Sequence, residues 1–339
     1  MIKVIVWGAA GEYANYRNIL ALMQEKLIIS IQGIIDRRLI QMDVKECDGY
    51  TVFSENELVN LDYDLILIAA GSSSAKCIIE NLSAIKVECD KYMLIGSFVA
   101  QYDISKEYYQ KERNEQIKII KEILSASDEE LKDYNWMLEK VRRYGIRCFS
   151  MDWMNDSKTH WSMNGILQIP EEFASLCCLL AKQNIKDAIE IGVWKGLSSY
   201  FMCAVLSRIN TNLKYYMVDI CDQLEDFEQF FELLPGMKKC IPATSGDFIK
   251  DKFDFVFIDA DHSYNASIMD WHNVGRNASI ITAFHDIYAH EYDQFNGGTV
   301  RMWKEICENT CVESRREFAK YPDERMGIGV IMHKKRGKV

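Results

Sequence analysis

Residues 187–200 read DAIEIGVWKGLSSY, and this stretch predicts the fold of the C-terminal half of the chain. A short apolar run before Gly192, broken by one acid at Glu190, is typical of a buried strand with a functional interruption. Gly192 and Gly196 then bracket a turn, and residues 197–205 favour a helix. Glycine lets a backbone approach a ligand, and the first helical N–H groups face it. The stretch therefore predicts a nucleotide-type binding loop.

Acidic and imidazole side chains close the apolar runs that follow. Asp219 closes the next run, Asp259 closes the one after it, and His262 lies three residues further on. His285 and Asp286 close a later run. Because the carboxyl ends of parallel strands meet at one crevice of an open α/β sheet, we expect these groups to converge on one ligand site.

The ordered set of Glu-x-Gly-x-x-x-Gly, Asp219, IDADHSY at residues 258–264 and FHDI at residues 284–287 resembles class I S-adenosylmethionine-dependent methyltransferases. Within that class it is most similar to the branch of metal-dependent sugar O-methyltransferases and cephalosporin-hydroxylase-like proteins. The resemblance covers roughly residues 165–335 and rests on the order of the motifs, since the glycine motif alone has little specificity. It implies a doubly wound α/β domain whose last strand is antiparallel.

The resemblance implies S-adenosylmethionine as the cofactor, with contacts from Glu190, Gly192, Gly196, Asp219 and Ser245. Glu190 can accept a hydrogen bond from the cofactor ammonium, and Asp219 can accept from both ribose hydroxyls. The glycine loop can approach the rest of the molecule, and Ser245 falls where the family places an adenine contact. One alternative stays open for each acid, because Glu190 and Asp219 can instead cap the helices that follow them.

A sugar hydroxyl is a poor nucleophile at neutral pH, so methyl transfer to it needs a general base or a divalent cation that lowers its pKa. The family's Asp-x-x-His spacing assigns His262 to the base and Asp259 to the metal. Asp259, His285 and Asp286 form the expected ligand set for Mg or Mn. Metal-dependent relatives usually have an acid at the position of His285, and imidazole suits Mn or Fe better than Mg. His285 can therefore be a second catalytic base or hold the substrate, and His262 can be structural.

Residues 1–105 predict a second Rossmann-like domain, because strands alternate with helices along it. Its first turn fits a dinucleotide fingerprint in part, since Gly8 and Gly11 take two glycine positions and Ala14 the third. Asp36 lies near the place of a ribose-binding acid. This half resembles the Rossmann-like domains joined to sugar-modifying enzymes. It is interpreted either as a site for NAD or another nucleotide, or as a scaffold that keeps only the fold.

The expected fold class is α/β, with two Rossmann-like doubly wound domains joined by a helical linker. The linker is expected over residues 106–150 and the methyltransferase-type domain over residues 151–339. An isoleucine stripe along the linker predicts either a homo-oligomer surface or docking onto the chain's own domains. A segment with Trp153 and Trp161 is expected to be either a lid over the cofactor or an interdomain packing segment.

Composition and charge narrow the functional classes. The 339-residue chain is 48% apolar and has a formal net charge of −10, which argues against a nucleic-acid backbone as its partner. The cysteines show no metal-ligand spacing, no signal peptide pattern opens the chain, and no apolar run reaches the ~18 residues of a membrane span. We therefore expect a cytoplasmic enzyme without a membrane span.

The favoured function is transfer of a methyl group to a sugar or nucleotide-linked sugar, in polysaccharide or secondary-metabolite assembly. One alternative is a metal-independent methyltransferase of small molecules. The other is a nucleotide-sugar- or NAD-binding module carried on a degenerate methyltransferase. The intact glycine loop and Asp219 count against degeneracy, while Ala10 and Tyr13 weaken the NAD interpretation.

Overall fold

The chain forms two compact units, each with one mostly parallel sheet. The computed structural model describes residues 1–148, 156–309, 314–322 and 325–333. The first unit comprises Met1–Glu115 and Gly145–Gly165, and the second comprises Gln116–Tyr144 and Ile166–Val339. This division differs from the three consecutive segments expected from the sequence. Among the helices of the described residues, none is both long and apolar enough to cross a bilayer.

The helical segment expected to be a separate linker is divided between the two units. The helix Asp103–Ser125 runs across the division. Its isoleucine stripe is fully buried in the chain at Ile119, Ile120 and Ile123. The stripe is therefore not available as a surface for a second copy.

The first unit is built on a six-stranded sheet. Its strands are β1 (Ile2–Trp7), β2 (Ile29–Ile35), β3 (Glu46–Cys47), β4 (Tyr50–Phe53), β5 (Leu65–Ile68) and β6 (Tyr92–Leu94), and its helices are α1 (Gly11–Glu25), α2 (Arg37–Gln41), α3 (Ser72–Ala84), α4 (Ile95–Val99) and the start of α5 (Asp103–Ser125). The strand order is β3-β4-β2-β1-β5-β6, and only β3 and β4 pair antiparallel. The strand order reverses at β1, where such sheets leave a crevice.

The short strand β6 of this unit leads directly into a helix. β6 ends at Leu94 and α4 begins at Ile95. The buried residues of α4 are Ile95, Phe98 and Val99, which follow the i, i+3, i+4 spacing of a helix rather than strand alternation.

The second unit is built on a seven-stranded sheet. Its strands are β7 (Asp187–Ile191), β8 (Lys214–Val218), β9 (Met237–Cys240), β10 (Phe255–Ile258), β11 (Ile281–Phe284), β12 (Ser314–Phe318) and β13 (Ile328–Met332). Its helices are α6 (Asp128–Lys132), α7 (Tyr134–Tyr144), α8 (Pro170–Leu180), α9 (Leu197–Ile209), α10 (Phe227–Phe231), α11 (Tyr264–Asn273) and α12 (Gly298–Asn309). The order β12-β13-β11-β10-β7-β8-β9 is that of a class I methyltransferase fold, so the expected fold class is confirmed.

The last strand of this sheet is antiparallel, as expected, but it does not form the edge. β13 pairs antiparallel with β11 on one side and with β12 on the other. The edge is β12, which no apolar pattern marked because its sequence is SRREF and its first four residues are exposed. β10, in contrast, is buried at every position, as expected for a central parallel strand covered on both faces.

The turn after β7 lies directly against the chain that leaves β10. Gly192 has a φ of +88°, and a Cβ added there would come within 2.1 Å of the Asp259 carbonyl oxygen and 2.6 Å of Ala260 Cα. Glycine was expected here to let the backbone approach a ligand. The structure adds a second reason, since no side chain fits between the two segments.

We expect Gly192→Ala to destabilise the second unit by about 3 kcal/mol or more, because it combines a left-handed backbone conformation with overpacking against a backbone carbonyl. Denaturant unfolding of the full chain measures this change. Gly246→Ala is the matched control, because an added Cβ there meets only the Thr244 hydroxyl, at 3.3 Å. Equal midpoints for the two variants would contradict the packing argument.

Candidate active site

The four central strands of the second unit end side by side. Their last residues are paired in register, Ile191 with both Val218 and Ile258, and Ile258 with Phe284. The residues that follow these strands are Gly192, Asp219, Asp259 and His285. The structure therefore brings the predicted positions together at one end of the sheet.

Two carboxylates and two imidazoles form a close cluster there. Asp259 Oδ1 lies 3.4 Å from His262 Nε2 and 3.2 Å from His285 Nδ1. The two oxygens of Asp286 lie 3.0 Å from His262 Nε2 and 3.3 Å from His285 Nδ1. Each imidazole therefore faces both carboxylates. All four predicted catalytic and metal-binding residues belong to this group, which we call the Asp–His cluster.

Charge compensation sets the protonation of the Asp–His cluster. Burial alone would raise the pKa of Asp259, but the charges and hydrogen bonds of His285 and His262 outweigh it and hold that pKa below the usual range. Burial opposes protonation of both imidazoles, yet Asp259 and Asp286 raise the pKa of His262 and of His285 well above that of a free histidine. The cluster therefore carries two ion pairs at neutral pH.

Asp286 and Trp194 hold unusual backbone conformations beside this end of the sheet. Their φ angles are +60° and +43°, in the left-handed region that side chains other than glycine rarely adopt. The hydroxyl of Thr299 donates to the Asp286 carbonyl oxygen at 2.6 Å and so helps to hold that turn. Backbone strain of this kind is concentrated at functional sites.

A glutamine that the sequence did not single out binds the cluster. Gln168 Nε2 donates to Asp259 Oδ2 at 2.8 Å, so the oxygen of Asp259 that faces away from the histidines is also occupied. Gln168 is 2% exposed, and its Oε1 has no hydrogen-bond partner among the described residues. No local pattern could have found this residue, since its partner lies far along the chain.

The cluster has a second unpaired buried atom and an aromatic neighbour. His285 Nε2 is buried without a hydrogen-bond partner among the described residues. The ring of Tyr292 stacks on His262, with centroids 4.5 Å apart and an interplanar angle of 19°. Tyr292 belongs to the segment between β11 and α12. Buried unpaired polar atoms are rare, and at a site they mark positions completed by water or by a ligand.

Glu172 lies close enough to the cluster to sense its charge and was also missed. Burial raises its pKa to about 7, while hydrogen bonds from the backbone N–H groups of Lys320 and Gly327 and the charge of His285 oppose the rise. These N–H groups donate at 2.7 and 3.0 Å. Glu172 thus ties α8 to the chain that leads into β13.

The donor atoms of the cluster suit a divalent cation. The ligand atoms of Asp259, His262 and His285 all lie within 4.8 Å of one another, and Asp286 adds a second carboxylate beside the same imidazoles. Two imidazoles and two carboxylates form a mixed set that suits Mn, Fe or Zn better than Mg. The geometry thus differs from the expected ligand set by including His262, which the sequence assigned to the base alone.

Glu190 lies on β7, and its side chain is buried. It is fully buried, and its two oxygens accept hydrogen bonds from the hydroxyls of Ser198, at 3.1 Å, and Tyr215, at 2.7 Å. Burial raises the pKa of Glu190 to about 7 despite these hydrogen bonds. The side chain was expected to meet the cofactor ammonium, or to cap the next helix. In this structure it holds α9 through the Ser198 hydroxyl.

Asp219 shapes the glycine loop. Its Oδ2 accepts from the backbone N–H groups of Val193, at 3.1 Å, and Trp194, at 2.9 Å, and its Oδ1 accepts from Cys221 N at 3.1 Å. A carboxylate has about four lone-pair positions, so Oδ1 keeps one for a single ligand hydroxyl, rather than the two ribose hydroxyls expected from the sequence. The alternative was that Asp219 caps a helix near Leu224. In the structure Asp219 instead holds the glycine loop.

The remaining predicted cofactor contacts lie at the start of two helical segments. Gly196, with a φ of +83°, is the N-cap of α9. Ser245 is 3% exposed, and its hydroxyl donates to Asp270 at 2.5 Å and accepts from Asn273 at 2.9 Å. The side chain of Ser245 is therefore occupied by α11, and an adenine contact at this position would fall to the backbone.

Arg301 on α12 is paired with Glu305 at 2.9 Å and packs over the ring of Tyr264. Trp161, half of the proposed lid, is 2% exposed within the first unit. Trp153, the other half, lies outside the described residues.

We expect Glu190→Gln to change how stability depends on pH. The folded-state pKa of about 7 lies above the usual 4.5, so the stabilising contribution of the protonated acid is complete below about pH 4.5 and is lost as pH rises through about 7. The amide carries no such loss. The unfolding free energy of the variant should therefore rise relative to that of the parent between pH 5 and pH 8, by up to about 3 kcal/mol, and its Tm should rise with it.

Thermal unfolding at several pH values measures the Glu190→Gln effect. Glu228→Gln, at an exposed site on α10, is the matched control and should run parallel to the parent. Parallel curves for both variants would mean that Glu190 is ionised in the folded state throughout this range.

Comparison with protein families assigns a domain to each end of the chain. Residues 189–287 match the model described as "Methyltransferase domain", and residues 1–95 match the model described as "C2185-like, N-terminal". The first match contains the glycine loop and the whole Asp–His cluster. The comparison with curated proteins found no match.

Solved methyltransferase structures resemble about half of the chain. The O-methyltransferase TomG from Streptomyces achromogenes, in complex with SAM, has 12% identity, covers 51% of this chain and 83% of its own, and gives a TM-score of 0.39. A SAM-dependent O-methyltransferase from Thermotoga maritima has 15% identity, covers 51% and 69%, and gives 0.36. The SAH-bound methyltransferase PaMTH1 from Podospora anserina has 12% identity, covers 50% and 80%, and gives 0.39.

These overall likenesses are too low to carry an argument about substrate. The family match over the glycine loop and the strand order of the second unit are the firmer findings. The second unit therefore contains a methyltransferase domain with the strand order of the class I fold.

Proposed function

We propose that the protein transfers a methyl group from S-adenosylmethionine to a hydroxyl of a sugar or nucleotide-linked sugar. The observation that carries the proposal is the Asp–His cluster, which stands at the same end of the sheet as the glycine loop held by Asp219. A site with two carboxylates and two imidazoles within hydrogen-bonding reach of each other suits an acceptor rich in hydroxyls. The resemblance of the ordered motifs to sugar O-methyltransferases favours the same class.

The reaction is an in-line displacement at the cofactor methyl. The acceptor oxygen forms the new bond to the methyl carbon while the bond from that carbon to sulfur breaks, and S-adenosylhomocysteine leaves. The hydroxyl proton must pass to a base, and His262 is the candidate because it is the more exposed of the two imidazoles. Asp259 and Asp286 hold the imidazole in place, and Gln168 holds Asp259.

Protonation limits His262 in this role. With both imidazoles charged, the two carboxylates are neutralised, but a protonated imidazole has no lone pair to accept a proton. A divalent cation bound by the carboxylates would compensate their charge in place of those protons and would lower the pKa of a bound sugar hydroxyl. Asp259, His285 and Asp286 would hold such a cation, and His262 would then be neutral and able to act as the base.

A metal-independent transfer is the second candidate, and one observation favours it. The Asp–His cluster is already balanced in charge by its own four side chains, so it does not require a cation to be stable. In this case His285 stays protonated beside both carboxylates, while His262 first releases its proton to solvent and then accepts the proton of the acceptor hydroxyl.

We expect Asp219→Ala to reduce the affinity for S-adenosylmethionine about tenfold or more, because the glycine loop loses two hydrogen bonds to a charged acceptor. Calorimetry measures the affinity. Incubation of the parent with the cofactor and a panel of nucleotide sugars should give S-adenosylhomocysteine and an acceptor heavier by one methylene, detected by mass spectrometry.

Asp251→Ala is the matched control for Asp219→Ala, because Asp251 is an exposed residue on the segment before β10 and belongs to neither the glycine loop nor the Asp–His cluster. Its cofactor affinity should equal that of the parent. If the parent binds the cofactor but methylates none of the sugar nucleotides, and instead methylates small aromatic acceptors, the proposed acceptor class is wrong.

We expect a chelator to reduce turnover and Mn to restore it more fully than Mg, because imidazole donors favour Mn. Binding of Mn to the protein, followed by electron paramagnetic resonance, gives a readout that does not depend on activity. Asp286→Asn should weaken that binding, whereas His290→Ala should not, since His290 pairs with Asp293 at an exposed place. Full turnover in chelator with no Mn bound would favour the metal-independent candidate.

A further inference from the structure

The first unit contains a cavity at the end of its sheet where the strand order reverses. Its volume is about 590 Å³, and all of its lining residues belong to this unit. It is lined by residues that follow β1, β2 and β5, among them Gly8, Asp36 and Ala70. Cavities of about 300–1,000 Å³ at such a reversal are the usual ligand sites of open α/β sheets. None of these residues takes part in the methyl-transfer site.

The acid at the end of β2 is not free to bind a ribose as the sequence pattern predicted. Asp36 Oδ1 accepts from the backbone N–H groups of Arg38, at 2.9 Å, and Leu39, at 3.2 Å. Its Oδ2 accepts from Ala9 N at 2.9 Å, and the residue is 8% exposed. One lone pair remains, which cannot chelate two ribose hydroxyls. The NAD interpretation loses the contact that gave it most of its support.

A cationic side chain close to Asp36 in the sequence lines the same cavity. Arg38 lines the cavity, is exposed, and forms no ion pair with any described residue. The other charged residues of the lining are already paired, because Arg37 pairs with Glu55 and Glu12 lies 3.5 Å from Arg147. Arg38 is therefore the charge that this cavity leaves for a ligand, and that ligand is an anion.

Backbone donors add to this anionic preference. The helix α1 begins at Gly11 on the cavity wall, and its N-cap Ala10 has no side-chain oxygen to accept from the first-turn N–H groups. The helix α3 begins after Gly71 on the opposite wall, also without a side-chain cap. Uncapped helix starts and an arginine are the groups with which proteins commonly bind phosphate.

The rest of the cavity lining includes apolar side chains, which suit the flat ring of a nucleobase. Trp7, Ala70 and Ile78 line the cavity and belong to the hydrophobic core of this unit or pack against it. Ser74 and Asn81 on α3 supply polar groups at the same wall. An apolar wall with a few polar groups, next to an anion site, matches a nucleobase joined to a phosphate.

We infer that this cavity binds a nucleotide with at least one phosphate that is contacted by Arg38. The base lies towards α3, and the phosphate lies between Arg38 and the start of α1. The ligand is held without ribose chelation by Asp36, which separates this site from a dinucleotide site. The inference does not depend on the acceptor or the metal of the methyl-transfer reaction.

Alkylation of Cys77 tests the inference on the full-length protein. Cys77 lines the cavity and is exposed, whereas Cys89 is an exposed thiol of the same unit that does not line it. The rate of iodoacetamide modification at each thiol is followed by peptide mass spectrometry, with Cys89 as the internal reference. UDP and ADP should slow modification of Cys77 alone, and uridine and adenosine should do so only at much higher concentration.

A variant that removes the charge of Arg38 shows whether protection of Cys77 depends on recognition of the phosphate or only on a molecule blocking the cavity. Arg38→Met should raise the half-protecting concentration of UDP or ADP about tenfold or more. Arg276→Met, at an exposed arginine of the second unit, should leave it unchanged. Absence of protection by millimolar nucleotide in the parent overturns the inference. Equal protection by nucleosides and nucleotides, or protection unchanged in Arg38→Met, also overturns it.

Discussion

Mutual compensation of buried charge at the ends of β10 and β11 is the constraint on which the methyl-transfer site depends. Asp259, Asp286, His262 and His285 are each within 3.4 Å of two opposite partners. Removing one partner of a buried pair leaves an uncompensated charge and costs about 3–5 kcal/mol. The four side chains therefore hold each other in a fixed arrangement.

The glycine loop is positioned by a different kind of contact. Asp219 accepts two N–H groups of this loop, and Gly192 allows the loop to lie against the chain after Asp259. The glycine loop and the Asp–His cluster thus follow adjacent strands at one end of the sheet. In the proposed function, this proximity places the methyl donor beside the base.

Much of the site was predictable because parallel strands bring their ends together. Once residues 187–191, 214–218, 255–258 and 281–284 are assigned as adjacent strands, the polar residues after them must meet. Burial patterns of apolar residues sufficed for those assignments, since the strands are central. The same logic predicted the cluster of Asp259 and His285 without any view of their side chains.

What the sequence concealed depends on contacts that have no local pattern. Gln168 binds Asp259 across the fold, and Asp36 occupies the position of a ribose ligand while its oxygens cap α2 and hold the turn after β1. A residue type at a familiar spacing does not reveal which lone pairs are already used. β12 was missed for a simpler reason, because exposed charged residues do not alternate with apolar ones.

The charged composition of β12 has a consequence for how the protein behaves in concentrated solution. A strand at the border of a sheet offers unpaired backbone groups to any extended chain that approaches it. Arg315, Arg316 and Glu317 place charge along this border. Neighbouring molecules that tried to continue the sheet would have to strip these charges of water, so the border itself discourages fibrous self-association.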